Sequence, residues 1–334
     1  MAQQLKAGDM TIGVVGLGLM GSSIIVSLLL AGHGVIAIAP ISGEKEVAPL
    51  RIRQQLKLCE DDGLLAAPAE TYVASLTVSD DYALLDPCDL VLECVLEKLE
   101  IKSAVYQKIV SATYPDTIIA SNTSAIPISE LQQLVSYPER FIGIHWAEPA
   151  FATRFMEIVC GERTSPVTAE KVLALAYLWG KEPTLLKKDI RGFITNRLMY
   201  AVYREAFALV EGGTATMEDV DKAFRYDEGS WITLMGIFRR MDFMGLEDYA
   251  RTFEVLFPTL NNAEGVPEVM EQLVKEKSTG TQNLKGLYRY TREEAKRWEE
   301  AFARFTKDIY ELARQYPSPS TSLAKGDQTV VNHL

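Results

Sequence analysis

An α/β domain built on a mostly parallel sheet, followed by an all-α domain, is the fold class that this sequence predicts. Three observations predict it: a strand, glycine turn and helix at the start, strands alternating with helices as far as residue 190, and helical periodicity beyond it. Residues 11–15 are a β-prone run ending at Gly16. Residues 22–30 form a helical run stopped by Gly32, and 35–39 are the next strand, so the chain opens with a βαβ unit. Residues 75–78, 90–94, 117–120, 141–144 and 155–160 continue the strand series, with helical segments between several of them. After Lys187 the helices are 192–211, 217–224, 232–242, 246–257, 267–277 and 293–316. The first is apolar over much of its circumference, which predicts burial in its own domain or in a dimer interface. The expected domains are 1–190 and 191–316. The polar stretch 317–334, PSPSTSLAKGDQTVVNHL, reads as a flexible tail.

The 334 residues, 48% of them hydrophobic, suffice for two cores, since single cores seldom grow past about 250 to 300 residues. A formal net charge of −11 offers no basic field to nucleic acid or an anionic membrane, so a small-molecule substrate is the expected partner. Cys59, Cys88, Cys94 and Cys160 show no CxxC spacing; buried reduced thiols, a cytoplasmic location and no metal site are expected. The longest apolar run, 23–31, is too short to span a membrane, and no export signal opens the chain.

VVGLGLMGSS sets Gly16, Gly18 and Gly21 in a G-x-G-x-x-G frame between a strand and a helix, the context of a Rossmann-like dinucleotide site. Gly16 permits the tight turn, Gly18 lets the backbone approach a pyrophosphate, and Gly21 lets helix and strand pack. Met20 stands in the same turn, where helix N–H groups receive negative charge. The second strand should end in an acid that binds the adenine ribose, but it ends at Ala39. With no carboxylate there to repel a 2′-phosphate, and with Ser42 and Lys45 nearby, NAD and NADP are both admitted, with a slight lean to NADP. Glu44 and Glu46 flank the lysine and oppose that lean.

LECVLEK, ASNTSAI, GIHWAEP, RFMEIV and RGFITNR follow in that order, with 21 residues from Ser124 to His145 and 12 from His145 to Glu157. On these motifs the chain, over about residues 10–290, resembles the L-3-hydroxyacyl-CoA dehydrogenase family. MGIFRRMDFMGLE resembles the family's M-G-P-F-x-x-x-D-x-x-G-L-D stretch, with Ile237 in place of proline. TGTQNLKGLYRY resembles G-x-K-x-G-K-G-F-Y-x-Y, with Gln282 in place of lysine. The long last helix is similar to those of the gulonate and carnitine dehydrogenase branches. The resemblance implies a Rossmann-like first domain, NAD as cofactor and a homodimer made by the helical domain. The reaction it implies is reversible hydride transfer at the 3-hydroxyl of a 3-hydroxyacyl-CoA or a related 3-hydroxy acid.

Oxidising a secondary alcohol needs a base within hydrogen-bond reach of the hydroxyl. Imidazole, with an unperturbed pKa of about 6.5, suits the task, and His145 lies just past a strand at the ligand-binding end of an open sheet. Glu157 falls on the next strand, where its carboxylate would hold the far ring nitrogen and fix the tautomer. By resemblance, Ser124 and Asn196 would donate to the reacting oxygen, Glu97 and Lys102 would lie near the nicotinamide and substrate, and Asn122 would line the cofactor pocket. His33 reads as a loop residue, and His333 falls in the tail.

Two departures bear on substrate. Where the family usually reads H-F-x-N-P this chain reads H-W-A-E-P, so Trp146 and Glu148 are substrate candidates and the carboxylate favours hydroxyl or cationic groups. In the stretch LKLCEDDGLL, Glu60, Asp61 and Asp62 stand where a basic residue usually meets coenzyme A, and exposed acids would repel its phosphates by roughly several tenths of a kcal/mol each. Arg51, Arg53 and Lys57 would compensate. A free polar substrate such as a sugar acid or a carnitine-like compound is thus the alternative to an acyl-CoA. A lysine-base dehydrogenase is disfavoured, because GFITNR offers Arg197, which cannot deprotonate. A cofactor-binding sensor or structural protein without turnover would have no need of Ser124, His145, Glu157 and Asn196 together.

Overall fold

The computed structural model describes residues 7–315; the stretch expected as a tail, with His333, lies outside them. The chain divides into two compact units, one ending at Asn196 and the other beginning at Arg197.

In the first unit, β1 (Thr11–Val15), β2 (Gly34–Ile38), β3 (Leu76–Ser79), β4 (Leu90–Glu93), β5 (Ile118–Ser121), β6 (Phe141–Trp146), β7 (Phe155–Val159) and β8 (Glu182–Leu186) form one sheet in the order β3-β2-β1-β4-β5-β6-β7-β8. Every pairing is parallel except β6 with β7. The order reverses between β1 and β4, and an open sheet of this kind takes its ligand in the crevice beyond the carboxyl ends of the strands at that reversal. Helices α1 (Leu19–Leu30), α2 (Glu44–Asp61), α3 (Ala69–Val73), α4 (Leu99–Ala112), α5 (Ile128–Leu131) and α6 (Pro166–Leu178) belong to the same unit.

Successive strand residues feed opposite faces of the sheet, as a period of two requires. Val14, Leu92 and Ile142 join α1, α2 and α6 through Ile24, Ile52 and Leu175 in one core cluster. Their neighbours Val15, Val91 and Phe141 join α4 through Tyr106 and Ile109 in the other. The edge strand β8 is not expected from the sequence. Pro183 and the charged Glu182 mask it, and an edge strand tolerates proline because one of its sides needs no N–H donors.

The second unit is helical: α7 (Thr195–Glu211), α8 (Met217–Tyr226), α9 (Glu228–Met244), α10 (Leu246–Leu256), α11 (Glu268–Lys275) and α12 (Arg292–Gln315), with α7 beginning in the last residues of the first unit. Reciprocal capping starts α12. Glu294 Oε2 accepts from the Thr291 N–H at 2.8 Å, and Thr291 Oγ1 accepts from the Glu294 N–H at 3.1 Å.

Candidate active site

The antiparallel pairing of β6 and β7 sets His145 directly opposite Glu157, so their side chains share one face of the sheet. This register gives the 12-residue spacing its meaning. The Nδ1 atom of His145 lies 2.8 Å from Glu157 Oε2, with the imidazole 12% exposed and the carboxylate 1% exposed. His145 is the penultimate residue of β6, not a residue beyond it. Phe155 meets its ring edge-on at 5.5 Å, and Phe193 lies against it at 5.8 Å.

The other carboxylate oxygen of Glu157 receives the start of α7. The N–H groups of Ile194 and Thr195 donate to Oε1 at 3.0 Å each, and Thr195 Oγ1 donates at 3.2 Å. Burial by itself would raise the Glu157 carboxyl; the bonds from His145, Thr195 and Ile194 outweigh it and hold the group below its ordinary range. Phe193 makes this approach possible in a left-handed conformation, φ +52°, that bulky residues rarely adopt.

The next residue, Asn196, donates from Nδ2 to the carbonyl of Ser124 at 2.7 Å, and the Ser124 N–H donates to Glu97 Oε1 at 3.0 Å. Ser124 is exposed on a loop fixed at both of its backbone groups. Ser124, Asn196, Glu157 and His145 are thereby joined in one continuous chain of bonds through the first turn of α7.

Glu97 also accepts from Thr123 Oγ1 and pairs with Lys102 at 3.1 Å. Lys102 departs from the sequence expectation of a cofactor contact. Its ammonium is 1% exposed and bonds both oxygens of Glu93, at 2.8 and 2.9 Å, besides Glu97. Three donors are thus spent inside the protein. Burial would depress Lys102, but the charges of Glu93 and Glu97 reverse that and raise it. Glu93, 0% exposed, also accepts from Tyr106 and Ser121 at 2.7 Å each. Sequence reading missed Glu93; the signal was an acid closing an apolar strand.

Around the glycine turn, a Cβ at Gly21 would sit 1.9 Å from the Gly16 carbonyl oxygen, and one at Gly16, φ +98°, would sit 2.8 Å from the Cys94 carbonyl. At Gly18 a Cβ would meet nothing within 4 Å, so that side of the turn is open, as a pyrophosphate cradle requires. These residues fit NAD, whose phosphates would take the free N–H groups opening α1, Met20's among them. Ala39 and Ser42 line a cavity of about 990 Å³ with Asp80 and Lys108; none of the His145 cluster lines it. Asn122 ties β5 to β6, its Oδ1 accepting from the Trp146 N–H at 3.0 Å.

Trp146 is not at the site. One position along β6 from His145, it faces the opposite side of the sheet, 2% exposed, stacked on Trp179 at 5.3 Å and beneath the Lys181 ammonium at 5.1 Å. Glu148 stays exposed in the following loop. Partial burial raises its carboxyl, with a bond from Ser23 opposing the shift, while Arg154 pairs with Glu182. Lys181, unremarked in the sequence, anchors this loop through the Ala150 and Thr153 carbonyls; burial and the Arg154 charge bring it down to about 8. His33 is a structural residue, 1% exposed, its Nε2 accepting from Trp179 Nε1 at 2.9 Å.

The cradle and the sheet define a dinucleotide-dependent enzyme. Residues 11–190 match the NAD binding domain of 3-hydroxyacyl-CoA dehydrogenase, and residues 192–290 match its C-terminal domain. The 5-formyl-3-hydroxy-2-methylpyridine 4-carboxylate 5-dehydrogenase of Mesorhizobium japonicum is 34% identical over 85% of this chain and 92% of its own. The L-carnitine dehydrogenase of Staphylococcus epidermidis is 33% identical over 95% of this chain and 98% of its own. Among solved structures, a 5-formyl-3-hydroxy-2-methylpyridine 4-carboxylic acid 5-dehydrogenase, described as an NAD+ dependent dismutase, superposes with TM-score 0.84 at 31% identity, covering 92% of this chain and 99% of that one. The (S)-3-hydroxybutyryl-CoA dehydrogenase of Ralstonia eutropha gives 0.71 at 27% identity, covering 84% and 99%. The chain belongs to the 3-hydroxyacyl-CoA dehydrogenase family and is an NAD-dependent dehydrogenase acting on a CH–OH group.

Proposed function

We propose that the chain interconverts an alcohol and a carbonyl on a small, free polar acid, with His145 as its base. The observation that carries this reading is the 2.8 Å pair of His145 Nδ1 with a buried Glu157. With Nδ1–H donated to the carboxylate, Nε2 is left as the acceptor for the substrate hydroxyl proton, and Glu157 stabilises the imidazolium that results. NAD, when bound, would supply the acceptor for the hydride of the carbinol carbon. Ser124 and the second N–H of the Asn196 amide are the proposed donors to the reacting oxygen, and Glu148 the proposed polar contact at the far end of the substrate. Residues 1–190 would be the dinucleotide-binding domain and 191–316 the helical substrate and dimerisation domain. The four free cysteines fit a cytoplasmic enzyme.

A substrate without coenzyme A is favoured by the state of the basic residues near the acidic stretch. Lys57 is paired with Glu60 at 2.9 Å and Asp61 at 2.8 Å, Arg53 with Glu70, and Arg51 with the Leu17 carbonyl at 2.9 Å. Lys57 and Arg53 already meet carboxylates, while Arg51 is held by a carbonyl at the glycine turn. The carnitine and pyridine-carboxylate dehydrogenases, relatives named for free substrates, also match most of the chain. Initial rates of NADH oxidation with acetoacetyl-CoA, free 3-keto acids, 3-keto sugar acids and dehydrocarnitine test this. Turnover confined to free substrates is expected, and strong turnover of acetoacetyl-CoA would overturn the coenzyme A clause alone.

We further propose a homodimer made by the helical part. Helices α7 to α11 contain no buried residue, and Phe238, Phe243 and Val255 are 81%, 73% and 76% exposed. Apolar exposure on this scale marks an association surface. Light scattering after size exclusion should give twice the chain mass, and Phe238→Glu should shift the population toward monomer; a wild-type monomer sinks the idea.

A further inference from the structure

We propose that Asp80 supplies, from the neighbouring strand, the carboxylate that Ala39 lacks, and so makes this chain select NAD over NADP. The inference rests on the NAD-dependent reading and deepens it. In the parallel register of β2 with β3, Ile38 is partnered by Ser79, so the next pair along is Ala39 with Asp80. The Ala39 N–H donates to the Ser79 carbonyl at 2.8 Å, which carries the pairing past the strand ends. Asp80 therefore stands beside the position from which an acid ordinarily reads the adenine ribose.

Its carboxylate is not loose. Lys45, in the first turn of α2, bonds Asp80 Oδ1 at 2.8 Å, which turns the carboxylate toward the segment joining β2 to α2. The bond from Lys45 holds Asp80 below the ordinary carboxylate range, so it stays charged at neutral pH. The same contact engages one of the features that admitted NADP on sequence grounds, Lys45. Lys45 is the cation nearest Ser42 in sequence, and its charge is already matched. Glu46, Asp80 and Asp81 line the same cavity against two cations, Lys45 and Lys108, so the carboxylates outnumber the lysines where a 2′-phosphate would bring about two more negative charges. A bare ribose hydroxyl meets no such repulsion and can donate to a carboxylate.

The test is equilibrium binding, by fluorescence titration of the apoenzyme with NADH and NADPH, on wild type, Asp80→Asn and the double variant Asp80→Asn/Lys45→Ala. Wild type should bind NADH at least about tenfold more tightly, which is 1.4 kcal/mol. Asp80→Asn should cut that ratio about tenfold, mainly by tightening NADPH through the released Lys45, and the double variant should lose the gain. Both pair members are exposed, and thermal melting of each variant would show that the fold is kept. Equal wild-type affinities, or a ratio untouched by Asp80→Asn, would overturn the assignment while leaving the dehydrogenase reading intact. Failure to bind either nucleotide would overturn both.

Discussion

Replacing His145 with glutamine should lower kcat by about 10³-fold, while NADH affinity and melting temperature stay close to wild type. Glutamine keeps a donor that can reach Glu157 Oε2, so the buried carboxylate is not left without a partner. It has no basic nitrogen, and the alcohol proton loses its acceptor. A general base is worth about 10² to 10⁴ in rate. Here Phe155 and Phe193 flank an imidazole that is 12% exposed. Steady-state kinetics with a saturating free keto acid, beside a nucleotide titration, separates chemistry from binding. Wild-type turnover in the glutamine variant would end the assignment of His145 as base.

The sequence reveals this histidine because its environment is encoded locally. Short apolar runs define β6 and β7, and the 12-residue separation of His145 and Glu157 allows a register that opposes them. The glycine cradle is legible because its three glycines keep a fixed spacing between a strand and a helix. What escapes the sequence depends on which face or neighbour a side chain meets. Trp146 reads as part of the pocket because residues 141–144 alone look like strand; once β6 runs to Trp146, alternation sends that ring away from His145. Lys102 reads as a cation near the nicotinamide, and only the packing of α4 on β4 and β5 shows it buried between Glu93 and Glu97. The adenine side is missed by the same logic. A search for an acid at the end of β2 looks along the chain, whereas Asp80 is adjacent across the sheet.

Glu157→Gln is the substitution expected to do most damage for one atom exchanged, and orientation decides how. Oε1 accepts three bonds, from the Ile194 and Thr195 N–H groups and from Thr195 Oγ1, so the amide oxygen of glutamine must take that position. An amide nitrogen there would face two fixed donors. The NH2 group then points at His145 Nδ1, which becomes an acceptor and moves the ring proton to Nε2. With that nitrogen protonated, the imidazole cannot receive the alcohol proton, and kcat should fall by about 10³- to 10⁴-fold, the scale seen when a triad carboxylate is made an amide. The same variant should respond differently to acid. Wild-type Glu157 is held below its ordinary value of 4.5, so its contribution to stability is complete above that pH and is lost as pH falls through the lowered folded value. Melting temperature against pH should therefore decline more steeply below about 4.5 in wild type than in Glu157→Gln. Parallel curves would mean that the buried carboxylate is not the titrating link between the dyad and α7, and near-normal kcat would mean that the tautomer is set elsewhere.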